Sequence, residues 1–263
     1  MLKNAIEMLS RSVLLLAALT GSMGAHAAEP LNRIVAVVLN ELRDMIKPGI
    51  STLALDQWAE QRIFGLKGEP AFKGYGGRNG AKPFPATLCT SVNQEVVHGI
   101  PSGKRILQEG DIIGVDVGVV YDGYYGDGAY TYAVGSVSSG ASDLMATCRK
   151  SLQLGIAAAR AGNNLGDIAK AIDGCVSAAG FSVVRDLSGH GIGRSLHEDP
   201  QILNYYNGQR GAKLKSRMTL AIEPMINAGS WEVRTLDDGW TVVSSDNSLS
   251  AHYEHTVALT DNG

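Results

Sequence analysis

The stretch 111-DIIGVDVGVVYDGYYGDGAYTYAVG-135 decides how this chain folds. Two runs rich in Val, Ile and Tyr flank Asp122-Gly123, a dipeptide suited to a two-residue hairpin turn because both positions tolerate positive φ. Centring the turn there sets Asp116 opposite Ala129 and Asp127 opposite Gly118. Side chains alternate along a strand, so Asp116 and Asp127 share one face as diagonal neighbours, about 7–8 Å apart or less at their β-carbons. Asp116 lies in 112-IIGVDVGVV-120, among apolar residues and glycine, which predicts burial. A buried carboxylate is costly unless paired or bound to a metal, and two close carboxylates repel until a dication stands between them. On this segment two readings stand: a pair of metal ligands, or one carboxylate salt-bridged to Arg or Lys with the other exposed.

The same chemistry recurs downstream. In 219-TLAIEPMIN-227, Glu223 ends an apolar run before Pro224, and in 251-AHYEHTVAL-259 Glu254 sits between His252 and His255. Either acid alone suits an ordinary ion pair. In 189-GHGIGRSLHEDP-200, Gly189, Gly191 and Gly193 bracket His190, which predicts a constrained turn presenting the imidazole. Together, four acids in apolar surroundings and one histidine make an oxygen and nitrogen ligand set that suits two divalent cations. No serine or cysteine nucleophile motif accompanies them. Cys89, Cys148 and Cys175 are widely spaced and form no CxxC pair, so neither a zinc ribbon nor a disulfide framework is indicated.

At 263 residues, with 44% hydrophobic residues and 32 glycines, the chain has the make-up of a globular domain with many turns. A formal charge of −3 shows no basic excess, which excludes nucleic acid as the main partner. Residues 1–27 read as a leader: Lys3 and Arg11 precede the apolar run 12-SVLLLAALT-20, and small residues end at Ala25-His26-Ala27. That run is too short for a stable membrane span. A cleaved leader implies an exported or periplasmic protein, while an amphipathic amino-terminal helix, favoured by Glu7, leaves a cytoplasmic one. Helices are predicted from Pro30, in a first turn, to Met45, and from Ser51-Thr52 through Trp58. An irregular excursion covers 65–87, strands lie near 90–97, 112–120 and 125–133, helices fit 142–161 and 165–179, and strand and turn fill 181–259.

With these motifs in order, the sequence resembles the type I methionine aminopeptidases, metallopeptidases of the pita-bread fold. The stretches that carry the resemblance are 93-NQEVVHGIP-101, 111-DIIGVDVGVVYDGYYGD-127, 181-FSVVRDLSGHGIGRSLHEDPQIL-203, 219-TLAIEPMINAG-229, 238-DGWTV-242 and 247-NSLSAHYEHTVALTDNG-263. It implies a single-domain α+β fold over residues 28–263, an antiparallel sheet covered by helices, with a dinuclear metal site on the concave face. It also implies that Asp116, Asp127, His190, Glu223 and Glu254 hold two divalent cations, drawn from Co, Mn, Fe, Zn or Ni. Asp127 and Glu254 would bridge them, Asp116 would complete one ion, and His190 with Glu223 the other. His98 and His197 match the family's substrate-contacting histidines and, with Glu223, its catalytic groups. Phe84, Cys89, Leu196 and Trp240 fall near its methionine pocket.

The activity so implied is removal of the amino-terminal methionine from peptides or proteins, preferably before a small second residue, by attack of a metal-bridging hydroxide. Peptide or protein amino termini are the expected partners of a monomeric enzyme. The alternatives are a proline-directed peptidase of the same fold and a catalytically weak binding protein that keeps the fold. One departure is plain: Gly128 stands beside Asp127 where the family usually has a hydroxyl residue.

Overall fold

The computed structural model describes residues 23–76 and 82–261. In chain order come helices α1 (Met23–Met45) and α2 (Thr52–Gly65), then strands β1 (Glu69–Pro70), β2 (Leu88–Val92), β3 (Glu95–Val97), β4 (Ile112–Tyr121) and β5 (Tyr124–Ala133). Helices α3 (Ser139–Ala158) and α4 (Leu165–Ala178) follow. The rest is strand: β6 (Ser182–Val183), β7 (Gly189–Gly191), β8 (Glu198–Ile202), β9 (Thr219–Ile222), β10 (Met225–Asn227), β11 (Val233–Thr235), β12 (Val242–Ser244), β13 (Ser250–His252) and β14 (Glu254–Ala258).

The hairpin of β4 and β5 closes as its turn residues dictate. Asp122 and Gly123 have φ of +51° and +73°, and the ladder pairs Asp116 with Ala129 and Gly118 with Asp127. Around it the main sheet runs β1–β4–β5–β14–β9–β7–β8, with β2 also on β4, and every pairing is antiparallel. Two small antiparallel sheets, β13–β10–β6 and β11–β12–β3, continue from it.

Alternation on β4 separates core from site. Ile113, Val115, Val117 and Val119 join Leu31, Val35, Leu39 and Leu42 of α1 and Leu55 and Ile63 of α2 in one core. Fully burying a leucine such as Leu42 or Leu55 contributes about 1.5–3 kcal/mol, so these helices fix the sheet from behind. A second core packs Leu144 and Leu152 of α3 and Ile168, Ile172 and Val176 of α4 against Leu220, Ile222 and Val257. The even-numbered face of β4, with Asp116, is left for other work.

Local signals set the helix starts. The Ser51 hydroxyl accepts from the Ala54 N–H at 3.2 Å, and Asp167 Oδ2 accepts from the Asn164 N–H at 2.7 Å. Buried Asp56 accepts from the N–H groups of Thr87 and Leu88 at 2.9 and 2.8 Å, tying α2 to the start of β2. The first helix departs from expectation. It begins at Met23, so Pro30 lies inside it rather than in its first turn. Ala25, Ala27 and Ala28 are strong helix formers, and their pull was missed by counting from the proline. The leader expected over residues 1–27 lies, as far as residue 22, outside the described residues. No helix among the described residues is long and apolar enough to cross a membrane.

At Gly128 the sheet and α1 meet so closely that a β-carbon would lie 2.8 Å from Val35 Cγ1. A hydroxyl residue has no room there. Gly128→Ser is expected to lower stability by about 1–3 kcal/mol in denaturant unfolding, from overpacking. The loss should shrink in a Val35→Ala background, and an equal loss in both backgrounds would remove the steric account.

Candidate metal centre

Strand registers place the site before any rotamer is considered. Glu254 of β14 pairs with Ala129 of β5, Thr256 with Ala221 of β9, and Ala221 with His190 of β7. The Thr256 hydroxyl accepts from the Asp127 N–H at 3.0 Å and donates to the Asp127 carbonyl at 2.9 Å, fixing the next strand over. One rung across the sheet therefore reads Gly118, Asp127, Thr256, Ala221, His190. The neighbouring rung reads Asp116, Ala129, Glu254, with Glu223 next but one after Ala221. Period-two alternation turns Asp116, Asp127, His190, Glu223 and Glu254 to the same face. Buried Ala129 and Ala221 form a low floor between them.

The five groups meet. Donor atoms of Asp127, His190 and Glu254 lie within 4.8 Å of one another, as do those of Glu223, His252 and Glu254. His190 Nε2 is 3.4 Å from Glu223 Oε1, and the Asp116 and Asp127 carboxyls are close enough to influence each other. Among the described residues no Lys or Arg pairs with any of the four carboxyls, so the salt-bridge reading of Asp116 fails. Asp116 Oδ1 and Glu254 Oε1 are buried without a hydrogen-bond partner. Buried oxygens of this kind are normally satisfied, and divalent cations would satisfy them here. The donor set fits.

The backbone prepares His190 for this task, though not by a turn. His190 belongs to strand β7, and none of Gly189, Gly191 and Gly193 has positive φ. β-Carbons at Gly189 and Gly191 would lie 2.3 Å from the Ala221 carbonyl oxygen and 2.2 Å from that of Asp199. These glycines serve close strand approach. His190 Nδ1 is 2.9 Å from the Gly191 carbonyl oxygen; only a protonated Nδ1 can donate there, which leaves the Nε2 lone pair for a metal.

Electrostatics agree with the geometry. Burial first, then repulsion among neighbours, pushes Asp116, Glu223 and Glu254 well above the usual carboxyl range. Burial lifts Asp127 to about 7, with the Asp116 contact and the Gly128 N–H restraining it. Without cations the cluster thus keeps protons at neutral pH. Burial acts oppositely on the imidazoles, pulling His190 down and His252 down to about 3.

The expected substrate-side residues gather beside this cluster. Phe84, Cys89 and Leu196 share an apolar group with Phe72, Ile192 and Ala221, and Trp240 packs on it. Phe84 and Trp240 meet edge to face at 5.3 Å. Burial pushes the Cys89 thiol well up, so it stays neutral and serves as an apolar wall. His98, at φ +59°, stands edge-on to Trp240 at 6.2 Å. The His197 ring lies 4.3 Å from that of His190, and its Nδ1 is 2.6 Å from the Tyr75 hydroxyl. Burial, with help from His190 and His98, takes His197 down to about 4. Tyr75 was missed because it lies in the irregular excursion, where no periodicity points at a neighbour. His252 was within reach, since it stands next but one before Glu254.

Comparison with known proteins identifies the family. Residues 29–261 match the model of metallopeptidase family M24. A methionine aminopeptidase of Clostridium acetobutylicum is 49% identical over 231 residues, 88% of this chain and 90% of that protein. The crystal structure of a methionine aminopeptidase from Thermotoga maritima is similar with a TM-score of 0.88 at 42% identity, covering 94% of this chain and 97% of that one. A prolidase from Pyrococcus furiosus, at 20% identity and a TM-score of 0.73, shares the fold, and this chain spans 65% of its length.

Metal binding should release protons and tighten as pH rises, because the raised carboxyls must deprotonate first. Calorimetric titration should show affinity falling as pH drops through about 7, the region where Asp127 titrates. An affinity unchanged between about pH 6 and 8 would contradict it. The metal-free fold responds in the opposite direction. Carboxyls raised in the folded state contribute stability at low pH and lose it as pH rises through their folded values. Buried neutral histidines act oppositely, but only below about pH 6.5. The melting temperature of metal-free protein should therefore fall from about pH 6.5 to 8.

Proposed function

The chain belongs to metallopeptidase family M24, and from that premise we infer that it is a metal-dependent aminopeptidase releasing methionine from the amino termini of peptides and proteins. One observation carries this reading: four carboxyls with no Lys or Arg partner among the described residues converge with His190 beside an apolar recess edged by His98 and His197. The proline-directed alternative has less support, because the prolidase likeness extends to the fold alone.

As a member of this family the protein uses divalent metal. In our reading Asp116, Asp127, His190, Glu223 and Glu254 would hold two cations, Asp116 serving one, His190 with Glu223 the other, and Asp127 and Glu254 both. When bound, they supply Lewis acidity and an activated water. The protein's own groups do the rest. The recess of Phe84, Cys89, Leu196 and Trp240 takes the methionine side chain, gripping a flexible thioether by burial and polarisable contact. In our reading His197 and Tyr75 border the second residue, which would favour small ones.

His197 is neutral and carries one N–H. With the Tyr75 hydroxyl donating to Nδ1, that N–H sits on Nε2 and stabilises the charge that develops on the scissile carbonyl oxygen. Glu223, whose carboxyl burial and the neighbouring Asp127 push well above the usual range, passes a proton to the departing amine. His98 contacts the peptide nitrogen. All these side chains come from one chain, so a monomer suffices for activity.

Protein loaded with Mn(II), Co(II) or Fe(II) is expected to hydrolyse Met-Ala peptides, and partner binding without hydrolysis under any of these metals would overturn the enzyme reading. His197→Ala should keep its metal content while kcat falls about 100-fold or more. Equal loss of metal in that variant would remove the role given to His197.

A further inference from the structure

One group inside the cage has no task so far. His252 ends β13 and is 3% exposed. Its backbone is held from two sides. It pairs with Met225 of β10, and the Thr131 hydroxyl accepts from its N–H at 3.0 Å and donates to its carbonyl at 2.7 Å. The side chain is therefore presented to the site from a fixed base.

Its Nε2 is buried and makes no hydrogen bond. The closest charged neighbour is Glu223 Oε2 at 3.8 Å, beyond the roughly 2.7–3.2 Å of an N–H···O bond. That spacing has another meaning. Two donors held by one cation at about 2.1 Å each stand about 3.0 Å apart at a right angle and about 3.8 Å apart at a bond angle near 130°. The donor atoms of Glu223, His252 and Glu254 moreover fall together, a group separate from Asp127, His190 and Glu254 and sharing only Glu254 with it. Glu223 stands between two imidazoles, with Oε1 towards His190 and Oε2 towards His252. An idle imidazole walled into this position would leave a polar atom orphaned, where an apolar side chain would not.

We propose that His252 is a further nitrogen donor to the metal centre, binding through Nε2 the cation held by Glu223 and Glu254. The proposal rests on the metal-centre reading above. It would give the cation gripped by Glu223 and Glu254 a second imidazole beside His190, and leave oxygen donors alone on the Asp116 side. A more imidazole-rich centre favours Zn, Ni, Cu or Fe over Mn or Mg, which prefer oxygen donors.

The test is the nitrogen itself. Full-length metal-free protein with 15N-labelled histidine is titrated with Zn(II), and His252 is assigned by comparison with His252→Gln. The His252 Nε2 resonance is expected to shift as zinc fills the centre, together with that of His190. By calorimetry, His252→Gln should bind the weaker zinc equivalent about tenfold less tightly or worse. Zinc uptake that moves His190 and leaves the His252 nitrogens unchanged overturns the proposal while sparing the metal centre. Wild-type protein that takes up no zinc overturns both. Should the variant fail to fold, specific 15N labelling of wild-type protein with a rotamer-independent assignment from its Thr131 and Met225 backbone neighbours decides the matter.

Discussion

Four carboxyl groups and a histidine crowd one face of a sheet, away from solvent and away from any lysine or arginine among the described residues. Each is desolvated, and each acid repels the others, so protons or cations must occupy the space between them. That constraint explains the surrounding architecture. The ladder from β4 to β7 holds the donors at fixed spacing, alanines keep the floor low, and Thr256 clamps Asp127 by its backbone. The helices lie behind the sheet, so their packing energy resists any relaxation that would let the acids move apart. A flexible loop carrying the same residues would spread them and lose the site.

Much of this was legible in the chain. Asp122-Gly123 specified the turn, the turn specified the register, and register with alternation put Asp116 and Asp127 on a common face. Apolar neighbours around Glu223 and Glu254 marked them as buried acids in need of a counter-charge. These inferences rest on local geometry, which a sequence carries directly. The glycines around His190 were read for the wrong property, because backbone freedom and absence of a β-carbon leave the same letter. Only the neighbouring strands reveal which one matters. The extent of α1 was misjudged for a related reason: proline marks a favoured helix start without forbidding earlier turns made by alanines.

What the sequence concealed depends on contacts between distant segments. Tyr75 reaches His197 from an irregular stretch, and no period connects them. Phe72 and Ile192 complete the apolar recess from elements far apart along the chain. The centre is polar and charged, while the recess beside it is apolar and aromatic. The two meet at the histidines, whose rings are apolar enough to line the recess and polar enough to address a peptide.

Glu223 and Glu254 occupy a special place in the topology. Each stands where a strand leaves the main sheet for the small one: β9 continues through Pro224 into β10, and β13 passes through Tyr253 into β14. A cation gripped by both acids would work as a rivet through a seam. It would lock two sheets that otherwise meet through packing and a few backbone bonds, so that loading the centre would stiffen strands with no donor of their own. Occupancy of the site would thereby become a mechanical property of the whole scaffold.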